Sequence, residues 1–196
     1  WDNLKFDLEG IKEVQRKFFG TLYNTYQFFV LYANVDGFTY QEADVPFAER
    51  PEIDRWILSS LQTLVKTVNK HMDDYEPTLA GRAIDEFVDE LLSNWYVRLS
   101  RRRFWKGEYN NDKVSAYQTL YECLLNVSNL ISPIAPFYSE HIFQSLNNVT
   151  NKEDFESVHL SEFPDSFSDL IDNNLENKIN QVRNICSLAL SIRKKE

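Results

Sequence analysis

Apolar residues recur at every third or fourth position along most of the chain, the period of a helix with one buried face. Ile11, Val14, Phe18, Leu22, Thr25 and Phe29 set this rhythm over residues 8–32. Asn34 and Asp36-Gly37 then read as a stop and a turn. Residues 38–50 carry no period and include Pro46, so a long loop is expected there, functional or packed as an arm. Pro51 opens a second helix whose face is Ile53, Ile57, Leu61, Leu64, Val68 and Met72. Pro77 and Thr78 break the chain, and a third helix is predicted over residues 79–105.

That third helix is expected to bury Ile84, Phe87, Val88, Leu91 and Trp95, and to end at Gly107. Asn110-Asn111-Asp112 offers a cap for a fourth helix bearing Val114, Tyr117, Tyr121, Leu124, Val127 and Ile131. Pro133 and Pro136 stop it, and a short helix follows over residues 136–146. Residues 147–169 are polar and irregular, with Val158 and Leu160 alternating as in a short extended segment. A last helix is predicted over residues 170–193, with Leu175, Ile179, Val182, Ile185, Ala189 and Ile192 on one face.

The sum is an all-α bundle with a long arm and a trailing helix. Only five Gly and six Pro occur in 196 residues, too few for a many-stranded β fold, and a 43% hydrophobic content suffices for a buried core. The bundle is expected over residues 1–165, and residues 166–196 form a final helix leading toward a further domain. The chain starts at Trp1, has its only methionine at Met72, and closes on Arg193-Lys194-Lys195-Glu196. Both ends are therefore expected to be cuts inside a longer protein.

No apolar run approaches the ~20 residues that span a bilayer, and the first residues lack the layout of a signal peptide. Cys123 and Cys186 lie far apart, so reduced thiols in a cytoplasmic protein are expected, with no disulfide framework or cysteine zinc site.

Charge changes the picture in one place. The chain carries −9 in total, which by itself disfavours nucleic acid. Arg98, Arg101, Arg102, Arg103 and Lys106 nevertheless fall within nine residues that hold no acid, +5 together, which leaves −14 for the rest. At ~100° per residue the apolar stripe through Ile84, Leu91 and Trp95 continues into Arg98 and Arg102, with Trp105 and Lys106 beside them. Either these arginines pair with carboxylates at the edge of the core, or the helix projects past the core and offers a basic and aromatic face to an anion. Guanidinium forks suit phosphate, and flat side chains stack on unpaired bases.

Catalytic patterns are missing. His71, His141 and His159 stand in no HExxH, and the two ExxH pairs a di-iron bundle needs do not occur, Glu156-Ser157-Val158-His159 being a single one in the irregular segment. There is no GxGxxG, GxxxxGK or GxSxG. The acids Asp85, Glu86, Asp89 and Glu90 read as a solvated helix face. No catalytic residue, metal ligand or cofactor site is assigned to this chain.

Six blocks in order resemble one family, the class I aminoacyl-tRNA synthetases, most closely the isoleucine-specific ones. Arg16-Lys17-Phe18-Phe19 with Thr21-Leu22-Tyr23-Asn24 is similar to the first helix of the family's anticodon-binding bundle. Asp54-Arg55-Trp56-Ile57-Leu58-Ser59 is similar to the opening of the next family helix. Ser93-Asn94-Trp95-Tyr96-Val97-Arg98, followed by Arg101-Arg102-Arg103-Phe104-Trp105, resembles a motif on the bundle's long helix. Tyr117-Gln118-Thr119-Leu120-Tyr121, then Ile134-Ala135-Pro136-Phe137 with Ser139-Glu140, and Ser157-Val158-His159-Leu160 with Phe163-Pro164 complete the series.

The resemblance implies an ATP-dependent ligase as parent, with ATP and Mg, and zinc where its cysteine ligands occur. The HIGH and KMSKS motifs that hold ATP, the editing domain and those cysteines are not in this chain. For this piece it implies a non-catalytic anticodon-binding domain. Its partners would be isoleucine tRNA, through the anticodon stem-loop, and the catalytic and C-terminal domains of the same parent. Arg98, Arg101, Arg102, Arg103 and Lys106 are the candidate phosphate or base contacts and Trp105 the stacking candidate, with Arg16 and Lys17 secondary. The alternatives are a valine- or methionine-type sister and a helical protein-interaction module with no RNA role.

Overall fold

A computed structural model describes residues 7–106 and 108–193. The expectations at Gly107 and at the two chain ends lie outside these residues. Helix α1 covers residues 8–36 as Leu8–Val14, a π-helical stretch Gln15–Phe19, and Gly20–Asp36. Asp7 caps its start by accepting the Glu9 amide at 3.1 Å. Gly37 ends it in the left-handed region at φ 71°, where a Cβ would be strained. Leu22, Thr25, Tyr26, Phe29 and Ala33 form its buried face. Ile11 and Val14, expected on that face, are about half exposed, because the helix runs beyond the body it packs against.

Helix α2 is Glu52–Asp73 and helix α3 is residues 77–105. Helix α4 is Asn111–Ile131, capped by the Asn110 side chain, which accepts the Lys113 amide at 3.1 Å. Helix α5 is Pro136–Thr150, four residues longer than the sequence pattern indicated, and helix α6 is Asn173–Arg193. Sixteen of the 21 residues of α4 are buried, which makes it the central helix. Among the described residues there is no strand, and no helix is long and apolar enough to cross a membrane.

The loop after α1 packs as an arm. Phe38 and Tyr40 are buried, and Phe38 stacks on Tyr117 of α4 with ring centroids 4.8 Å apart. Arg50 lies buried at the arm's end, its Nη2 2.7 Å from Glu122 and its Nη1 3.0 Å from the Thr119 hydroxyl. Burial pushes the Glu122 carboxyl above its usual range, and Arg50 opposes that rise.

Val158 and Leu160 do not form the extended segment their alternation suggested. Val158–Leu160 is a single 3-10 turn, because the Ser157 side chain accepts the His159 amide at 3.2 Å and curls the backbone. The chain then runs along α2, where the Asn69 side chain donates to the Pro164 carbonyl and Gln62 accepts the Phe167 amide, each at 2.9 Å. Helix α6 docks by its first half. Asp172 accepts the Leu175 amide at 3.0 Å, and Thr63 donates to Glu176 at 2.9 Å. Leu175 is buried and Ile179 packs on the core, while Val182, Ile185, Leu188 and Ile192 are exposed.

Candidate nucleic-acid interface

The basic residues sit on the last turns of α3, and the path of that helix decides which way each one points. Its first part, Pro77–Glu86, is α-helical, Phe87–Val97 is π-helical, and Arg98–Trp105 is α-helical again. Ile84, Val88, Leu92, Tyr96, Ser100 and Phe104 are each at most 1% exposed and recur every fourth position. In an unbroken α-helix a four-residue step drifts by ~40°, so such a stripe would wind halfway round the helix. The wider i→i+5 turns of the π stretch absorb part of that drift. The expected stripe through Leu91 and Trp95 into Arg98 and Arg102 is therefore corrected. Leu91 and Trp95 flank the core, while Arg98 and Arg102 face solvent.

Over residues 98–105 the ordinary α period applies. At ~100° per residue, Arg101, Trp105, Arg98 and Arg102 fall within an arc of ~100°, and Ser100 and Phe104 point the opposite way. Burial agrees, since all four on the arc are exposed, Trp105 by 54%, and Ser100 and Phe104 are each 1% exposed. Lys106 is exposed just past the end of the helix, where cations offset the helix dipole. Among the described residues, none of Arg98, Arg101, Arg102 and Lys106 enters an ion pair.

Arg103 stands apart from its neighbours. Its Nη1 is 2.6 Å from Asp54 Oδ1, its Nη2 is 2.8 Å from Asp54 Oδ2, and its Nε donates to Asp112 at 3.0 Å. Burial opposes its charge, but the hydrogen bond to Asp54 and the surrounding acidic groups together outweigh that and raise its pKa above the ordinary arginine value. Asp54 is itself 0% exposed and also accepts the hydroxyls of Tyr96 at 3.0 Å and Ser115 at 2.6 Å. Burial first, then Asp54, pushes the Tyr96 phenol far up. Of the two readings open for these arginines, Arg103 fits the carboxylate pair at the edge of the core.

Sequence reasoning missed Asp54, Tyr96 and Ser115 as supports of the basic turn. A trace existed in Asp54, an acid three and four residues before Ile57 and Leu58 and so on the apolar face of its helix. Below the turn, Phe104 packs edge-on against Phe28 at 5.1 Å and Tyr117 at 5.0 Å. Asp36 accepts from Lys113 and from the Tyr117 hydroxyl, both at 2.6 Å, and holds α1 to α4 nearby.

Arg16 and Lys17 are elsewhere. They lie on the π stretch of α1, and Lys17 pairs with Glu13 at 2.5 Å on the surface. Lys17 lines a cleft of about 580 Å³ with Arg82, Asp85, Ile131 and Ile134. That cleft meets the first turns of α3, ~25 Å along the axis from Arg101. The structure thus separates these secondary candidates from the basic turn.

Nothing in this arrangement supplies a nucleophile with its base. His71 is half-buried, and His141 and His159 are exposed. Among the described residues no group of three or more His, Cys, Asp or Glu could hold a metal ion. What the turn can do is bind: three exposed guanidinium groups, an ammonium and an indole share one end of one helix.

Comparison with known proteins gives a consistent answer. Residues 54–196 match the family described as the anticodon-binding domain of tRNA ligase. The chain is 58% identical over 195 residues to an isoleucine–tRNA ligase of Bacteroides thetaiotaomicron, covering 100% of this chain and 17% of that protein. It is 60% identical to one of Cytophaga hutchinsonii, covering 99% and 18%. A Dehalococcoides mccartyi relative is 49% identical, covering 97% and 19%. The chain thus spans under a fifth of the length of these relatives. With an all-helical bundle and a match over most of its length, the chain belongs to the anticodon-binding domain family of tRNA ligases.

Proposed function

We propose that this domain recognises the anticodon stem-loop of isoleucine tRNA, as part of a cytoplasmic isoleucine–tRNA ligase. The observation that carries the reading is the exposed arc of Arg98, Arg101, Arg102 and Trp105 at the end of α3. Anticodon bases are unstacked, so they can be read on their edges and stacked on an indole or a guanidinium plane, while cations hold the backbone. Lys106 adds a fourth cation. Arg103 serves this site through Asp54 and not by touching RNA. Arg16 and Lys17 are left out of the anticodon face. The isoleucine assignment follows the relatives, which are isoleucine–tRNA ligases.

The chemistry belongs to the rest of the parent. There ATP with Mg would activate the amino acid, and any zinc would be bound outside this chain. Docking of the anticodon here would set the acceptor end against that body, so binding energy would appear in kcat as well as in affinity.

The test is binding of the full-length ligase to isoleucine tRNA and to a copy with a swapped anticodon, at two salt concentrations. Preference for the native anticodon that Arg101→Ala/Arg102→Ala removes supports the reading. Equal binding of both tRNAs, or an unchanged preference in that variant, overturns it.

A further inference from the structure

We infer that Asp54 is a positioning residue that fixes the direction in which the basic arc faces; this rests on the anticodon reading above. Asp54 lies in the first turn of α2 and is wholly buried. Both of its oxygens are filled by side chains of other helices: Arg103 bridges the two, Tyr96 binds Oδ1, and Ser115 binds Oδ2.

Cohesion alone does not require this group. The cost of stripping water from a buried ion pair offsets most of its attraction, and apolar packing of like volume often holds a core as well. What apolar packing lacks is direction. A guanidinium that meets a carboxylate at two points is fixed in angle as well as distance.

The two grips on α3 fall either side of a junction. Tyr96 belongs to the π stretch and Arg103 to the α-helical end, and the change occurs between Val97 and Arg98. A slip of one residue there would turn the end of the helix by ~100°, about the width of the arc itself. It would carry Arg98, Arg101, Arg102 and Trp105 off their outward bearing and into the neighbouring helices. Asp54 holds both sides of the junction from one fixed point on α2 and so forbids the slip.

The test uses the full-length ligase, with isoleucine-dependent ATP–pyrophosphate exchange to count active enzyme. Asp54→Asn is expected to raise KM for isoleucine tRNA at least tenfold per active site. The apolar double variant Asp54→Leu/Arg103→Met is expected to melt within a few degrees of wild type and still show the raised KM. Recovery of a wild-type KM in the folded double variant would show that any well-packed pair suffices, and the inference falls. It falls equally if the double variant does not fold, since the pair is then a requirement of the fold. Arg101→Ala/Arg102→Ala separates the two claims. If that variant raises KM while the double variant does not, only the positioning role is lost; if it leaves KM unchanged, the anticodon reading fails first.

Discussion

The Val158 amide donates to Glu140 Oε2 at 2.9 Å, across 18 residues of chain. The Ser157 hydroxyl donates to the same oxygen at 2.9 Å, and the Gln144 side chain reaches the other at 3.0 Å. Two blocks that stand apart in the sequence, Ser139-Glu140 and Ser157-Val158-His159-Leu160, are thus one structural unit. Burial pushes the Glu140 carboxyl up, but the Val158 amide and the two side-chain donors outweigh it and hold it below its usual range.

A carboxyl lowered in this way adds stability above its unfolded value of about 4.3, and that stability is lost as pH falls through the lower folded value. Glu140→Gln is expected to cost about 1 kcal/mol at pH 7, seen as an earlier urea midpoint. Wild type and variant are expected to converge once the pH falls below the lowered folded value, where the carboxylate is protonated in both states. A gap that persists in acid would place the loss in packing instead.

Three consecutive arginines are expected to differ sharply in their contribution to the fold. Arg103→Ala leaves Asp54 buried without its counter-charge and is expected to cost about 3–5 kcal/mol. Arg101→Ala and Arg102→Ala, both on the exposed arc, are expected to stay within about 0.5 kcal/mol of wild type. Chemical denaturation of the three single variants checks the contrast.

Salt dependence reports phosphate contacts directly. If Arg101 and Arg102 each neutralise one phosphate, losing both lowers the slope of log K against log salt by about 1.5–2. Titration of the parent ligase with isoleucine tRNA across salt concentrations measures it, and an unchanged slope would remove both residues from the backbone contacts.

The two thiols are expected to react very differently. Cys186 is exposed on α6, whereas Cys123 is buried in α4, where burial pushes its thiol well above the ordinary value. A neutral alkylating reagent is expected to modify Cys186 within minutes and Cys123 only in denaturant. Peptide mapping by mass spectrometry distinguishes them.

The elements were legible in the sequence wherever the signal was local. Gly37 stops α1, Asn110 caps α4, and the apolar period of α2 and α4 needs only neighbours to be read. The bearing of the basic turn was not legible, because spacing arguments assume one period throughout. The π stretch Phe87–Val97 breaks that assumption, and the core therefore takes Leu92 and Tyr96 where the pattern favoured Leu91 and Trp95. The role of Asp54 was hidden for another reason. Its partners lie 42, 49 and 61 residues away, beyond the reach of any local pattern. The stripe on α6 was read correctly only as far as Ile179, since past that point no described residue covers it.

The arm is held in a way that bears on how its sequence can drift. Gln118 donates its side-chain amide to the Ala43 carbonyl at 3.1 Å and accepts the Val45 amide at 2.9 Å. Its side chain thus does for the arm what a neighbouring strand does in a sheet, binding main chain and ignoring side chains. Residues 43 and 45 are free to change in the course of evolution, provided neither becomes a proline at 45 that would remove the N–H. The constraint on the arm's path is written more than seventy positions downstream, on a different helix.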